Sequence, residues 1–121
     1  KALDDVNAVD EDGNAVLDES GNQIVTLGLK SEWKALIKQQ AAEKLAPTDW
    51  YITRKSEDST ATIPSNVTTY RAAVRTKSNT IESSIDGAAD HAAFMALFDA
   101  PVDSDGNPTG NAPIADWPDE I

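Results

Sequence analysis

Apolar positions change their spacing several times along this chain, and each change predicts an element. Residues 9–16 (VDEDGNAV) and 17–24 (LDESGNQI) repeat with a period of eight, apolar flanks enclosing an acidic turn that ends in Gly-Asn. Gly13 and Gly21 supply the positive φ of a tight turn, so this stretch predicts short strands joined by hairpin turns. From residue 31 the spacing becomes helical. Trp33, Leu36, Ile37, Gln40, Ala41 and Leu45 share one face of a helix over 31–45. Ser31 is its expected N-cap, Glu32 suits the positive end of the dipole, and Ala46-Pro47 stops it. Asp49 to Lys55 is dense in aromatic and β-branched residues, which predicts a short strand. A polar loop follows over 56–62. Pro64 then opens a second helix with Ser65 or Asn66 as cap. Val67, Tyr70, Val74, Ile81 and Ile85 form its near-heptad stripe, and Gly87 ends it. Asp90 caps a third, shorter helix to about Ala100, with Phe94, Leu97 and Phe98 inward, before Pro101 terminates it. Val102 to Asn107 repeats the acidic Gly-Asn turn. The remainder is expected to be irregular until Trp117, pinned to the body.

These elements give an α+β chain, mainly α. The order is an N-terminal β-hairpin arm, a helix, a short strand, a helical hairpin and an irregular acidic C-terminal tail. The expected division is an arm over 1–28, a mainly helical body over 29–100 and an extended tail over 101–121. A length of 121 residues allows one domain with an appended arm. The core anchors are Trp33, Trp50, Tyr51, Tyr70, Phe94, Met95, Phe98 and Trp117, with scattered Leu, Ile and Val. Many of the other apolar residues are Ala, which bury little area. A core this lean often shares apolar surface with a partner or a symmetry mate.

Charge narrows the partners. The formal net charge is −11, which argues against nucleic acid and anionic membrane, since phosphate contacts need clustered Lys and Arg. Residues 4–19 carry seven acids and no base, residues 99–120 six acids and no base, and nine of the ten bases lie between. The acidic ends read as solvated segments, or as segments that meet basic partner surfaces. No apolar run approaches membrane-spanning length and no signal peptide is visible. Without cysteine there is neither a disulfide framework nor a Cys-based metal site. A chain that opens on Lys1 instead of Met is expected to be a processed product, a fragment, or part of a longer protein.

Candidate chemistry is sparse. His91 is the only histidine, and one His without Cys builds no typical zinc site. No Gly-x-Ser-x-Gly elbow accompanies the many serines, so no catalytic residue, cofactor or metal site is expected. The turns Asp10–Asn14 and Asp103–Asn107 invite calcium, but Gly stands fourth from the first Asp and no Glu closes the loop, so hairpin turns explain them better. Asn66-Val67-Thr68 fits a glycosylation sequon, read here as coincidence near a helix start. Lys77 at an inward position weakens a coiled-coil reading of the second helix. Trp50 with Tyr51 and Arg54, Tyr70 with Arg71 and Arg75, and Trp117 pair flat anchors with charge, as folds and interfaces do.

Three signatures carry a resemblance: Asp49-Trp50-Tyr51-Ile52-Thr53-Arg54, Tyr70-Arg71-Ala72-Ala73-Val74-Arg75 and Asp116-Trp117-Pro118, with Ile63-Pro64 between the first two. Over about residues 45 to 118 the chain resembles small tail-associated proteins and tail-fibre modules of tailed bacteriophages, including some tail assembly chaperones. The resemblance implies a structural protein of the virion tail, made in the host cytoplasm. It implies contacts with other tail or fibre proteins, and a homo-oligomer with a trimer favoured. It also implies that Trp50, Arg54, Tyr70, Arg71, Arg75 and Trp117 define fold or interface and perform no catalysis. The Gly-Asn repeats at the N-terminus look more like a fibre or stalk connector than a soluble chaperone. A transient assembly chaperone remains the alternative, and a glycan-binding tip that stacks sugars on Trp50 and Tyr51 a more distant one.

Overall fold

The computed structural model describes residues 1–121. Its elements are β1 (Val6–Asn7), β2 (Val25–Thr26), α1 (Leu29–Leu45), α2 (Asp49–Glu57), α3 (Ser65–Asp86) and α4 (His91–Ala96), with 3₁₀ turns at Ala46–Thr48 and Pro113–Ala115. The α+β, mainly α class expected from sequence is the class observed.

The two long helices make the frame. Val67, Tyr70, Val74, Ile81 and Ile85 of α3 are all buried, as the stripe predicts; Ile81 and Ile85 cluster with Ile37 of α1, and Tyr70 and Val74 with Ala41. The helices run antiparallel. Lys34 pairs with Asp86 at 2.9 Å and Lys38 with Glu82, while at the other end Arg71 reaches the Leu45 carbonyl at 3.1 Å. The helical hairpin is therefore α1 with α3, and not the second predicted helix with the third. Ile37, Ile81, Ile85 and Val74 are completely enclosed, each worth about 1.5–3 kcal/mol. Only 15 of 121 residues are buried, so the frame depends on what the chain ends add. They add Leu3 and Ile114, which join Ile37, Ile81, Ile85, Ala88 and Phe94 in one cluster. Trp117 packs against that cluster and against the second one, Ala41, Tyr70 and Val74.

The start of α1 differs from expectation. Ser31 lies inside the helix, which begins at Leu29 with Gly28 in the cap position. The free amides of the first turn are satisfied by a distant segment. Leu29 N–H donates to the Ala2 carbonyl (2.8 Å), Lys30 N–H to that of Leu3 (3.0 Å), and Gly28 N–H to Asp5 Oδ1 (2.8 Å). The Ser31 hydroxyl supports the same carboxylate oxygen at 2.7 Å. The cap is thus Asp5, lent across the crossing of two strands of chain. The crossing is close: a Cβ on Gly28 would lie 2.3 Å from the Leu3 carbonyl oxygen.

Asp49–Glu57 is a helix and not a strand. Aromatic and β-branched residues favour a strand only where a neighbour offers a pleated surface, and none lies here. Pro47 sits in the 3₁₀ turn Ala46–Thr48, and Arg71 gathers the Thr48 hydroxyl and Asp49 Oδ1 at 2.8 Å each. The chain is thereby turned straight into a new helix with Asp49 in its first turn. None of its nine residues is buried. Two further corrections concern caps and lengths. Pro64 occupies the α3 cap position, with no side-chain cap from Ser65 or Asn66. Helix α4 ends at Ala96, although Asp90 caps it as expected, accepting from Ala93 N–H at 2.8 Å.

The N-terminal repeat folds as short paired strands, and they close into a clover. Two leaves carry the turns Asp10–Asn14 and Asp18–Asn22, closed by the pairs Val9↔Ala15 and Leu17↔Gln23. The stem is β1 with β2, antiparallel, Val6 opposite Thr26. At the junction three residues spaced by eight bond in a ring. Ala8 N–H donates to the Ile24 carbonyl, Ile24 to Val16, and Val16 to Ala8, all within 2.8–3.0 Å. The Gln23 side-chain amide sits against the same three carbonyls at 2.8–3.1 Å. Each leaf tip is built alike: the leading Asp accepts from the amides two and four residues on, and Gly takes φ of 80° or 85°. The C-terminal tail is less irregular than expected. It holds a third such leaf, with Val102↔Pro108 paired and Gly106 at φ 83°.

Candidate functional site

The three sequence signatures converge. Arg71, itself buried, ties the second to the first through Asp49 at 2.8 Å. Lys77 on α3 binds Asp116 at 2.8 Å, and Trp117 packs beside Tyr70 and Val74 while its indole N–H meets Gln40 at 3.3 Å. Tyr70, Arg71 and Trp117 are therefore parts of the fold. Arg71 spends one nitrogen on three oxygens, those of Leu45, Thr48 and Asp49, and its Nε has no partner.

Trp50, Arg54 and Arg75 lie outside. Trp50, read from sequence as a core anchor, is 51% exposed, because α2 leaves the α1–α3 frame instead of packing on it. Met95 is likewise exposed. The Trp50 and Tyr51 rings stack at 3.8 Å between centroids and 28° between planes. The Arg54 guanidinium lies 4.9 Å from the Trp50 ring centroid and 5.8 Å from that of Tyr51, and donates to the Thr62 carbonyl at 3.1 Å. The four-residue step from Trp50 to Arg54 brings them together on a helix. The result is a flat aromatic and cationic platform, with Ile52 also exposed nearby in the sequence. Arg75 is exposed and makes no ion pair.

A cleft of about 450 Å³ opens beside the platform end of α1, lined by Gln40, Glu43, Lys44, Tyr70, Trp117 and the chain terminus. A second of about 370 Å³ is lined by Ser65, Asn66, Thr69, Tyr70, Asp119 and Ile121. Burial pushes the Tyr70 hydroxyl above the usual phenol range, and the nearby Glu120 charge adds to this. Elsewhere the shifts follow capping and pairing. Asp5 is held below the ordinary carboxylate range by the Gly28 amide and then by Ser31, and Asp58 by the Thr60 hydroxyl and amide. Lys34 is raised by its hydrogen bond to Asp86. The ring of His91 joins the Lys1 carbonyl through Nε2 at 2.7 Å, which ties the N-terminus to α4. No group of three or more His, Asp or Glu side chains converges to hold a metal ion. In the acidic turns the leading carboxylate oxygen already accepts two amides.

Sequence reasoning did not anticipate the clover junction. Its signal is the recurrence of apolar residues at 8, 16 and 24 with Gln23 beside the last. The sequence singles out Trp50 and Arg54 as fold or interface residues, and both are exposed. No helix of the chain is long and apolar enough to cross a membrane. No protein-family model, curated protein or solved structure matches the chain.

Proposed function

We propose that this chain is a non-enzymatic structural component of a bacteriophage tail or tail fibre, residing in the virion after synthesis in the host cytoplasm. It acts through contacts with other tail proteins and with copies of itself, a trimer being favoured. The sequence resemblance supports the phage setting. The observation that carries the contact role is α2, a helix with none of its residues buried that nevertheless carries Trp50 and Ile52. Such a surface belongs to interfaces more often than to free solvent. The test is to detect the chain in purified particles. A structural component co-purifies with them at fixed stoichiometry. A chain found in infected lysate but absent from particles is an assembly chaperone instead.

The exposure of Trp50 also favours a second reading, a tip that binds host glycans. Sugars stack on open aromatic faces, and the Trp50–Tyr51 pair offers such a platform. Trp50→Ala would then abolish binding to a host-glycan array while changing unfolding free energy by less than about 1 kcal/mol. A wild-type chain that binds no glycan removes this reading.

A further inference from the structure

The cleft beside α1 holds a buried polar group that nothing in the chain satisfies. Tyr70 is only 6% exposed and lines both this cleft and the neighbouring cavity of about 370 Å³. Its hydroxyl has no hydrogen-bond partner, and only burial and the Glu120 charge act on it. A buried phenol ordinarily finds such a partner. Arg71 Nε is the only unpartnered side-chain nitrogen or oxygen sealed from solvent, so the Tyr70 oxygen keeps a surface open to these cavities. A second observation is the Trp117 ring, which already holds a cation. Half-buried Lys44 brings Nζ within 5.5 Å of its centroid and pairs with no carboxylate. The third is charge. The charged side chains lining the two cavities are Lys44, Glu43, Glu120 and Asp119, three acids to one base. Glu43 accepts from the Gln39 amide at 3.2 Å, and neither Glu120 nor Asp119 meets a base. Lys77 and Asp116 close by neutralise each other at 2.8 Å.

We infer that this cleft binds a cationic side chain, arginine in preference to lysine, presented by a segment of another protein. The incoming guanidinium takes the place of Lys44 over Trp117, donates to the Tyr70 oxygen and lies among Glu43, Glu120 and Asp119. Arginine is preferred because a planar guanidinium stacks on the ring while its N–H groups donate at the edge, whereas an ammonium only repeats what Lys44 does. A cleft of about 450 Å³ falls in the usual range of about 300–1,000 Å³ for ligand sites. The second cavity, which shares Tyr70 and Ile121 with it, leaves room for the residues that flank the arginine. The net charge of −11 draws such a partner from a distance. No residue of α2 lines either cavity, so this site is distinct from the exposed α2 surface. It deepens the reading of the chain as a protein that acts by contact, and it does not use the virion setting.

The experiment titrates the full chain, labelled with nitrogen-15, with the peptide acetyl-Gly-Arg-Gly-amide. The same peptide with lysine, or with neutral citrulline, replaces it in parallel. The readout is the indole N–H resonance of Trp117. The arginine peptide is expected to shift that resonance saturably, with the citrulline peptide at least about tenfold weaker and the lysine peptide between them. Tyr70→Phe removes a hydroxyl that bonds nothing in the chain, so the fold persists while the dissociation constant rises at least about threefold. Glu120→Gln acts in the same direction. Lys44→Met vacates the ring and tightens binding at least about threefold. Glu11→Gln with Glu19→Gln removes two charges from the distant clover and leaves the dissociation constant within about twofold. A Trp117 resonance that does not move overturns the inference. So does citrulline binding as well as arginine, a Lys44→Met chain that binds no tighter, or a clover variant that weakens binding as much as Glu120→Gln. Should Tyr70→Phe lose helicity by circular dichroism, Glu120→Gln and Lys44→Met test the same cleft from its rim. Absence from particles with arginine binding intact removes the virion reading alone. Presence in particles without arginine binding removes this inference alone.

Discussion

At Gly28 a single hydrogen atom in place of a side chain lets two segments cross. A Cβ there would lie 2.3 Å from the Leu3 carbonyl oxygen and 2.5 Å from Asp4 backbone atoms. Backbone cannot swing aside as a flexible side chain does. Gly28→Ala should therefore displace residues 2–5 and uncap α1, a loss of at least about 3 kcal/mol. Gly13→Ala meets no atom within 4 Å, and its cost is confined to the positive φ of 80°, about 1–2 kcal/mol. Urea unfolding of both variants checks the order, and equal losses would show that the crossing is not tight. The neighbouring cap predicts a pH effect. The Asp5 carboxyl titrates below its ordinary value because the Gly28 amide and then Ser31 hold its charged form. Its contribution is thus complete above the unfolded carboxylate range, near pH 4, and disappears as pH falls through the lower folded value. Asp58 acts in the same sense. Asp5→Asn should lower stability at pH 6 and lose less than wild type between pH 6 and pH 2, as measured by thermal melts across that range.

Among the elements, α3 was the most legible. Its five stripe positions are local, strongly spaced and all buried, so periodicity alone recovers it. Helix α1 was legible in its face but not in its start, because the groups that cap it come from residues 2–5 and no window around Ser31 contains them. Helix α2 was illegible for a related reason. Its composition favours a strand, and the side chain that turns the chain into a helix there is Arg71, twenty-two residues beyond Asp49. The platform residues Trp50 and Arg54 stood out by type, but exposure is set by how α2 leaves the frame, which composition does not encode. The dependence on Arg71 is testable. Arg71→Ala removes the buried donor to the Thr48 hydroxyl and the Leu45 carbonyl, which then keep only the bond from that hydroxyl to that carbonyl, a cost of about 1–2 kcal/mol. The Asp49 partner is largely exposed and adds little. The variant should lose helical signal from α2 before the global transition, visible as early amide exchange over residues 49–57. Exchange there that matches wild type would assign the α2 fold to local propensity.

Across the whole molecule, the cluster around Ile37 takes one residue from each extremity, Leu3 and Ile114, with Trp117 against it. The clover and residues 2–5, which supply Leu3 and cap α1, are thus separate devices within the first 28 residues. Replacing residues 6–26 by a short flexible linker should leave a cooperatively folding helical body, since the ring of Ala8, Val16 and Ile24 bonds only within the clover. Removing residues 1–5 should instead lower the melting temperature by well over 5 °C, because Leu3 and the cap leave together. Melting temperatures of the two deletions decide this, and a larger loss from the first would mean that the clover supports the body.

The cluster that joins Leu3 to Ile114 also sets a timetable for a chain made from its N-terminus onward. Leu3 leaves the ribosome first, and Ile114 and Trp117 emerge about a hundred residues later, on the order of ten seconds at ordinary elongation rates. Through that interval α1 and α3 can pair, yet the cluster that joins them to both extremities stays open to water. The nascent chain acquires its full resistance to proteases only after Ile114 and Trp117 have emerged, and a chain cut short before Ile114 should be digested faster than one that carries both.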